Sequence, residues 1–187
     1  TYRGEIQFSE PETQEVRELL NNHNFNNVLQ NHTFSNSTII IDLSNDFRLK
    51  KDSKINEREF VYGLPEINRT AIKKARSIAN PGCFATAIQL ALLPLANRNK
   101  LNNAIHINAT TGSTGAGVSS SATTHFSWRN NNLSWYKPFT HQHLAEVKET
   151  LDQAQGKNTE IIFLPQRGNF TRGIFATAYT FFEENLD

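Results

Sequence analysis

Cys83 is the only cysteine in the chain, and its neighbours give it a chemical setting. It follows Asn80-Pro81-Gly82, with a short apolar strand expected over residues 77–79 before it and a strongly helical run over 84–95 after it. A cysteine at that junction stands at a helix N-terminus, where unpaired N–H groups and the macrodipole stabilise a thiolate. The same amides can hold the oxyanion formed when sulfur attacks a carbonyl. Gly82 permits the close backbone approach that such an elbow needs. An inert buried cysteine is the competing reading, and the order strand, Pro-Gly-Cys, helix favours a nucleophile.

A thiol nucleophile needs a base, and Thr140-His141-Gln142-His143 places two imidazoles at the start of a second expected helix, with Glu146 in its first turn. Either His141 or His143 is suited to take the thiol proton and return one to a leaving oxygen. The His-x-His pair also suits a metal, but with no second cysteine and no acidic cluster a zinc site lacks ligands, so no metal is expected. His106 and His125 read as structural. Three arginines could grip an anion through the planar fork of the guanidinium: Arg48, and Arg167 and Arg172 flanking Gly168-Asn169-Phe170-Thr171. Arg48 follows an expected strand, at the end where open α/β sheets bind ligands. The run Gly112-Ser113-Thr114-Gly115-Ala116-Gly117 is glycine-rich but lacks the spacing of a dinucleotide fingerprint.

These residues need a frame to hold them. Residues 38–43 form a compact apolar run closed by Ser44-Asn45-Asp46, the pattern of a buried parallel strand. A short helix is expected over 12–20, a turn at 62–65, and a helix over 66–76. Strands follow at 104–109, 160–164 and 173–182, a small-residue loop at 111–121, and an amphipathic helix over 143–155. Strands and helices alternate early and strands dominate late, so the fold class is α/β grading into α+β.

Composition narrows the function. Nineteen basic residues against eighteen acidic ones leave a net charge of +1, with no electrostatic footprint for nucleic acid or an anionic membrane. No apolar run approaches the roughly 20 residues that span a bilayer. One cysteine fits a reducing compartment, and a cytoplasmic location is expected. The chain starts at Thr1 and contains no methionine, which leads us to expect a fragment.

Taken together, five motifs in order resemble the N-acetyl-γ-glutamyl-phosphate reductases over residues 38–180: Ile41-Asp42-Leu43-Ser44-Asn45-Asp46-Phe47-Arg48-Leu49, Val61-Tyr62-Gly63-Leu64-Pro65-Glu66-Ile67-Asn68-Arg69, Ala79-Asn80-Pro81-Gly82-Cys83-Phe84-Ala85-Thr86, the Gly-Ser-Thr-Gly-Ala-Gly loop, and the His-Gln-His segment, with Arg172-Gly173-Ile174 beyond them. The resemblance implies a partial Rossmann-type NADP-binding domain over residues 1–80. It implies an α+β catalytic, dimerisation-type domain with a mixed sheet over 81–187. It implies reductive dephosphorylation of an N-acyl-γ-glutamyl phosphate, a small-molecule substrate, by NADP(H) in arginine biosynthesis. Cys83 would be the nucleophile and His141, or else His143, the acid/base. Arg48, Glu146 and Arg172 would bind substrate, and Gly112, Ser113, Gly115, Ala116 and Gly117 would lie near the cofactor. A homo-oligomer, dimer or tetramer, is expected. The family's Gly-x-x-Gly-x-x-Gly nucleotide loop and C-terminal helix have no counterpart here, so both domains are expected to be truncated. Val118 stands where many members carry a basic residue, and Ala145 replaces the usual proline before Glu146. An aspartate-semialdehyde dehydrogenase-type enzyme and a catalytically silent fragment remain as other readings.

Overall fold

The structure, a computed structural model, describes residues 25–31, 34–35, 37–117 and 122–182. The helix expected over 12–20 lies outside them. The chain divides into two compact units, Thr1–Asn80 and Pro81–Asp187. Among the described residues no helix is long and apolar enough to cross a membrane.

In the first unit, helix α1 (Phe25–Asn31) precedes strand β1 (Ile40–Asp42), a short hairpin of β2 (Lys54–Ile55) and β3 (Arg58–Glu59), strand β4 (Val61–Tyr62), helix α2 (Pro65–Ile72) and strand β5 (Ser77–Ala79). The three longer-range strands form a parallel sheet in the order β1-β5-β4. Its core gathers Leu29, Ile40, Phe47, Phe60 and Ala79, with Phe47 stacked on Phe60 at 4.2 Å between ring centroids. The apolar run at 38–43 is therefore a strand buried on one face only. Ile40 and Asp42 point inward, while Ile39, Ile41 and Leu43 are exposed. Helix α2 ends four residues short of expectation. Asn68 leaves helical geometry and donates its side-chain amide to the Tyr62 carbonyl, and Tyr62, expected in a turn, pairs with Ala79.

The second unit begins with helix α3 (Cys83–Ala96), then strand β6 (Ile105–Thr111), the four-residue helix α4 (Phe126–Arg129), strand β7 (Ser134–Trp135), helix α5 (His143–Gln155), and strands β8 (Ile161–Arg167) and β9 (Ile174–Tyr179). They make a mixed four-stranded sheet in the order β7-β8-β6-β9, with β6 and β8 parallel and the outer strands antiparallel. Strict alternation in β6 turns Ile105, Ile107, Ala109 and Thr111 inward and leaves His106, Asn108 and Thr110 on the open face. The buried side packs under α3 and α5, whose apolar faces supply Phe84, Ile88, Leu92, Val147 and Leu151.

A buried polar clasp joins those two helices. Gln89, 0% exposed, donates its amide to the Glu146 carbonyl at 3.1 Å and to the Thr150 hydroxyl at 3.0 Å. Gln89→Leu keeps the volume but strands the Thr150 hydroxyl without its donor, so unfolding in urea should show a loss of about 1–3 kcal/mol. Alteration of the midpoint within error would assign helix alignment to apolar packing alone.

Candidate active site

Helix α3 starts at Cys83 itself, one residue earlier than expected. Gly82 is its N-cap in an extended conformation, no side chain caps the end, and no acidic residue lies in the first turn. Cys83 is exposed. The first-turn amides of α3 therefore stand beside an accessible sulfur, the arrangement that stabilises negative charge developing there.

Two residues of α5 hold this elbow. The carboxylate of Glu146, 4% exposed, accepts the Gly82 N–H at 3.1 Å. The imidazole of His143 lies flat against Gly82, so that a Cβ at residue 82 would overlap its Nε2, Cδ2 and Cε1 atoms. Glycine is required here for proximity, since any side chain at residue 82 would displace the imidazole.

His141 occupies a different environment. Its ring, 4% exposed, is caged by Phe84, Tyr136, Phe163 and His143 at centroid distances of 5.3, 5.5, 5.7 and 4.6 Å. The backbone N–H of His143 donates to its Nδ1 at 3.2 Å, which fixes the neutral ring with its proton on Nε2. Burial, and then the charges of Lys137 and Arg167, push its pKa down to about 4. His141 is thus a neutral wedge that shapes the start of α5.

Tyr136 reaches this cage because residues 134–139 run along β8. Ser134 pairs with Arg167 and Trp135 with Gln166, after which Tyr136 N donates to the Pro165 carbonyl and Phe139 N to that of Phe163. Burial pushes the Tyr136 hydroxyl up to about 12, with the Arg167 charge opposing that rise and the Cys83 charge adding to it. The Arg167 guanidinium carbon stands 4.6 Å from the Tyr136 ring centroid. Tyr136 was absent from the candidates read from sequence, and Arg167 was weighed there only as one of three anion-binding arginines. The strand-by-strand register that joins them leaves no periodic signature.

The glycine-rich run is a 3-10 turn, Ser113–Ala116, following β6. It is sewn to the turn at 168–173: Gly112 N donates to the Gly173 carbonyl, Ser113 N to Phe170 and Thr114 N to Thr171, while Gly168 N donates to Thr111. Gly115 N and Gly117 N close on Gly112 and Thr114. A Cβ at Gly112 would come within 2.7 Å of the backbone of Thr171 and Arg172. Those amides are committed within the protein, so the turn offers a ligand its side chains and edges rather than an amide cradle. The Arg172 side chain is exposed, and it is its main chain that meets Gly112. Arg48 belongs to the first unit, where its guanidinium donates to the Leu43 carbonyl and to the Asn45 side chain, closing the loop after β1.

The chain matches two family descriptions: the semialdehyde dehydrogenase dimerisation domain over residues 83–187, and the semialdehyde dehydrogenase NAD binding domain over residues 19–75. It belongs to the semialdehyde dehydrogenase family. Within it, the chain is 63% identical over 160 residues to the N-acetyl-gamma-glutamyl-phosphate reductase of Flavobacterium johnsoniae, covering 85% of this chain and 49% of that protein. It is 55% identical over 169 residues to the protein of that name from Christiangramia forsetii, covering 90% and 51%. The chain spans about half the length of the curated relatives it matches. Among solved structures, aspartate semialdehyde dehydrogenase II from Vibrio cholerae superposes with a TM-score of 0.56 at 15% identity, over 80% of this chain and 50% of that one. Aspartate semialdehyde dehydrogenase with NADP from Candida albicans gives 0.51 at 12% identity, over 80% and 45%. These two likenesses show the fold.

The buried neutral His141 has a consequence for acid stability. Its folded pKa of about 4 lies below the ordinary 6.5, so its contribution is fully present above pH 6.5 and lost as pH falls toward 4. The slope reaches at most about 1.4 kcal/mol per pH unit in that window. Urea unfolding between pH 7 and 4.5 should show a shallower decline for His141→Phe than for the unaltered protein. Parallel declines would place the His141 proton elsewhere.

Proposed function

We propose that this chain carries the nucleophilic cysteine of an NADP(H)-dependent reductase that converts an N-acyl-γ-glutamyl phosphate to its semialdehyde in arginine biosynthesis. The observation that carries this reading is Cys83 at the uncapped start of α3 with the His143 imidazole seated on Gly82. The relatives named above bear the matching activity in their names.

His143 takes the thiol proton, the Cys83 sulfur attacks the acyl carbon, and phosphate leaves with the electron pair of the carbon–oxygen bond, giving a thioester. The first-turn amides of α3 hold the oxyanion during both formation and collapse of the adduct. NADP(H), when bound, supplies the hydride that reduces the thioester. The thiolate then departs with its electron pair and is reprotonated from His143 as the aldehyde forms. Cys83 is open to a hydride donor, whereas the amides at Gly112, Ser113, Gly115 and Gly117 are committed. Contact of this turn with the cofactor, including Ala116, therefore runs through side chains and Cα edges. Glu146 acts through Gly82, fixing where the helix begins. Arg48 and Arg172 serve as substrate anion contacts, and residues 1–80 belong to the nucleotide-binding part of the enzyme. A reducing, cytoplasmic compartment suits the free thiol.

Between the two imidazoles, His143 is the acid/base and His141 the positioning residue in this reading, which the seat of His143 on Gly82 and the engaged Nδ1 of His141 support. In the full-length enzyme Cys83→Ser should keep substrate and NADPH binding and lose roughly three orders of magnitude or more in kcat, since a hydroxyl is a far weaker acid than a thiol. His143→Ala should lower kcat by about 10²–10⁴-fold. Steady-state kinetics with N-acetyl-γ-glutamyl phosphate checks both. Substantial turnover by Cys83→Ser would end the covalent reading, and a larger fall for His141→Ala than for His143→Ala would exchange the two histidines.

The same domain pairs with a second copy through its open sheet face. Register sets Trp135, Gln166, Thr110 and Phe175 in one row across four strands, and His106 stacks on Tyr179 in another. Trp135, Phe175 and Tyr179 are 64%, 70% and 61% exposed, an apolar surface that association would cover. Sedimentation should show Phe175→Glu with Tyr179→Glu as a smaller species than the unaltered enzyme. An unchanged sedimentation coefficient would move the interface elsewhere.

A further inference from the structure

We propose that Arg167, backed by Arg129, forms an anion subsite beside Cys83 that grips a carboxylate or phosphate oxygen of the substrate. This deepens the reductase reading and rests on it. Ser134, Arg167, Thr111 and Ile174 lie in one register row, on the side of the sheet that packs against the helices. Arg167 thereby faces the same side as Phe163, the floor of the His141 cage, and lies over Tyr136.

Behind it stands Arg129, 6% exposed, which donates to the Arg167 carbonyl at 3.1 Å and to the Ser134 hydroxyl at 2.7 Å. These bonds lock the end of β8 against β7. Burial and the neighbouring Arg167 charge both depress the ionisation of Arg129. The Nε atoms of Arg129 and Arg167 are buried with no hydrogen-bond partner among the described residues. Neither arginine has a carboxylate partner there. The sequence provides few: no Asp or Glu stands between Glu66 and Glu146, nor between Glu160 and Glu183, and the Glu146 carboxylate is engaged by Gly82. Two neighbouring cations with no counter-ion among the described residues, Arg167 sharing a hydrogen bond with the Tyr136 hydroxyl, make a site suited to an anion, and the planar fork suits a carboxylate or a phosphate. Arg172, by contrast, is exposed on the turn beyond.

Calorimetric titration of the full-length protein tests this without requiring turnover. Three stable probes separate the sources of the anion: inorganic phosphate, N-acetylglutamate, and N-succinylglutamate, which adds a carboxylate at the far end of the acyl group. Arg167→Leu should weaken at least one probe roughly tenfold or more, Arg167→Lys should recover part of the loss, and Arg98→Leu, in the exposed turn after α3, should change none. Loss on phosphate alone identifies the leaving group as the ligand. Equal loss on both acylglutamates identifies a glutamate carboxylate, and loss on N-succinylglutamate alone identifies an acidic acyl group. If Arg167→Leu melts below the assay temperature, Arg167→Lys carries the comparison through its narrower fork. All three probes binding within twofold for variant and unaltered protein, or none binding to the unaltered protein, overturns the subsite. Absent turnover of N-acyl-γ-glutamyl phosphate together with Arg167-dependent binding would sink the reductase reading and leave the anion site standing.

Discussion

The Glu146 carboxylate accepts the Gly82 amide hydrogen, and the geometry of the site descends from that bond. It runs between the first turn of one helix and the residue that begins another, so the N-termini of α3 and α5 are held together. A buried carboxylate is costly unless its oxygens are engaged, which makes the pairing stringent. The His143 imidazole lies against the bare face of Gly82, and Cys83 follows immediately as the first helical residue. The Gln89 clasp continues the same alignment a turn or two further along.

Around this joint the surroundings differ from group to group. The uncapped start of α3 turns its first-turn amides toward the sulfur. Beneath, the aromatic cage holds His141 neutral and Tyr136 protonated at neutral pH. Two imidazoles two residues apart thus acquire different chemistry from their surroundings. One rests on Gly82, the residue before the thiol, and the other gives its lone pair to a backbone amide.

The strand–Pro-Gly-Cys–helix junction was legible because each part carries a local signal: a β-branched or small strand, two breakers, and a long run of helix formers. Helix α5 was legible for the same reason, from its amphipathic spacing to its ends. Strands of two residues, such as β2, β3, β4 and β7, have too few positions for a period to register, so Tyr62 was read as turn and Tyr136 as no element. The pairing of Arg129 with Arg167 depends on strand register across 38 positions of sequence. The glycine-rich turn shows the same limit, since nothing in its composition signals that Gly112, Ser113 and Thr114 donate to the turn at 168–173. Burial on one face of β1 could not be told from burial on two, since an apolar run has the same appearance in both.

The segment from Arg129 to Gln142 is attached to the sheet by a two-residue ladder and a few further main-chain bonds, whereas β6 lies between two long strands. Cooperative subunits of a fold open in order of their local free energy, and a lightly laddered edge opens at less cost than a central strand. Amide hydrogens at Tyr136 and Phe139 therefore exchange with solvent through partial openings that leave β6 and β8 protected. The aromatic cage and the arginine pair come apart in such an opening while Cys83 keeps its helix, so the thiol outlasts the environment built around it.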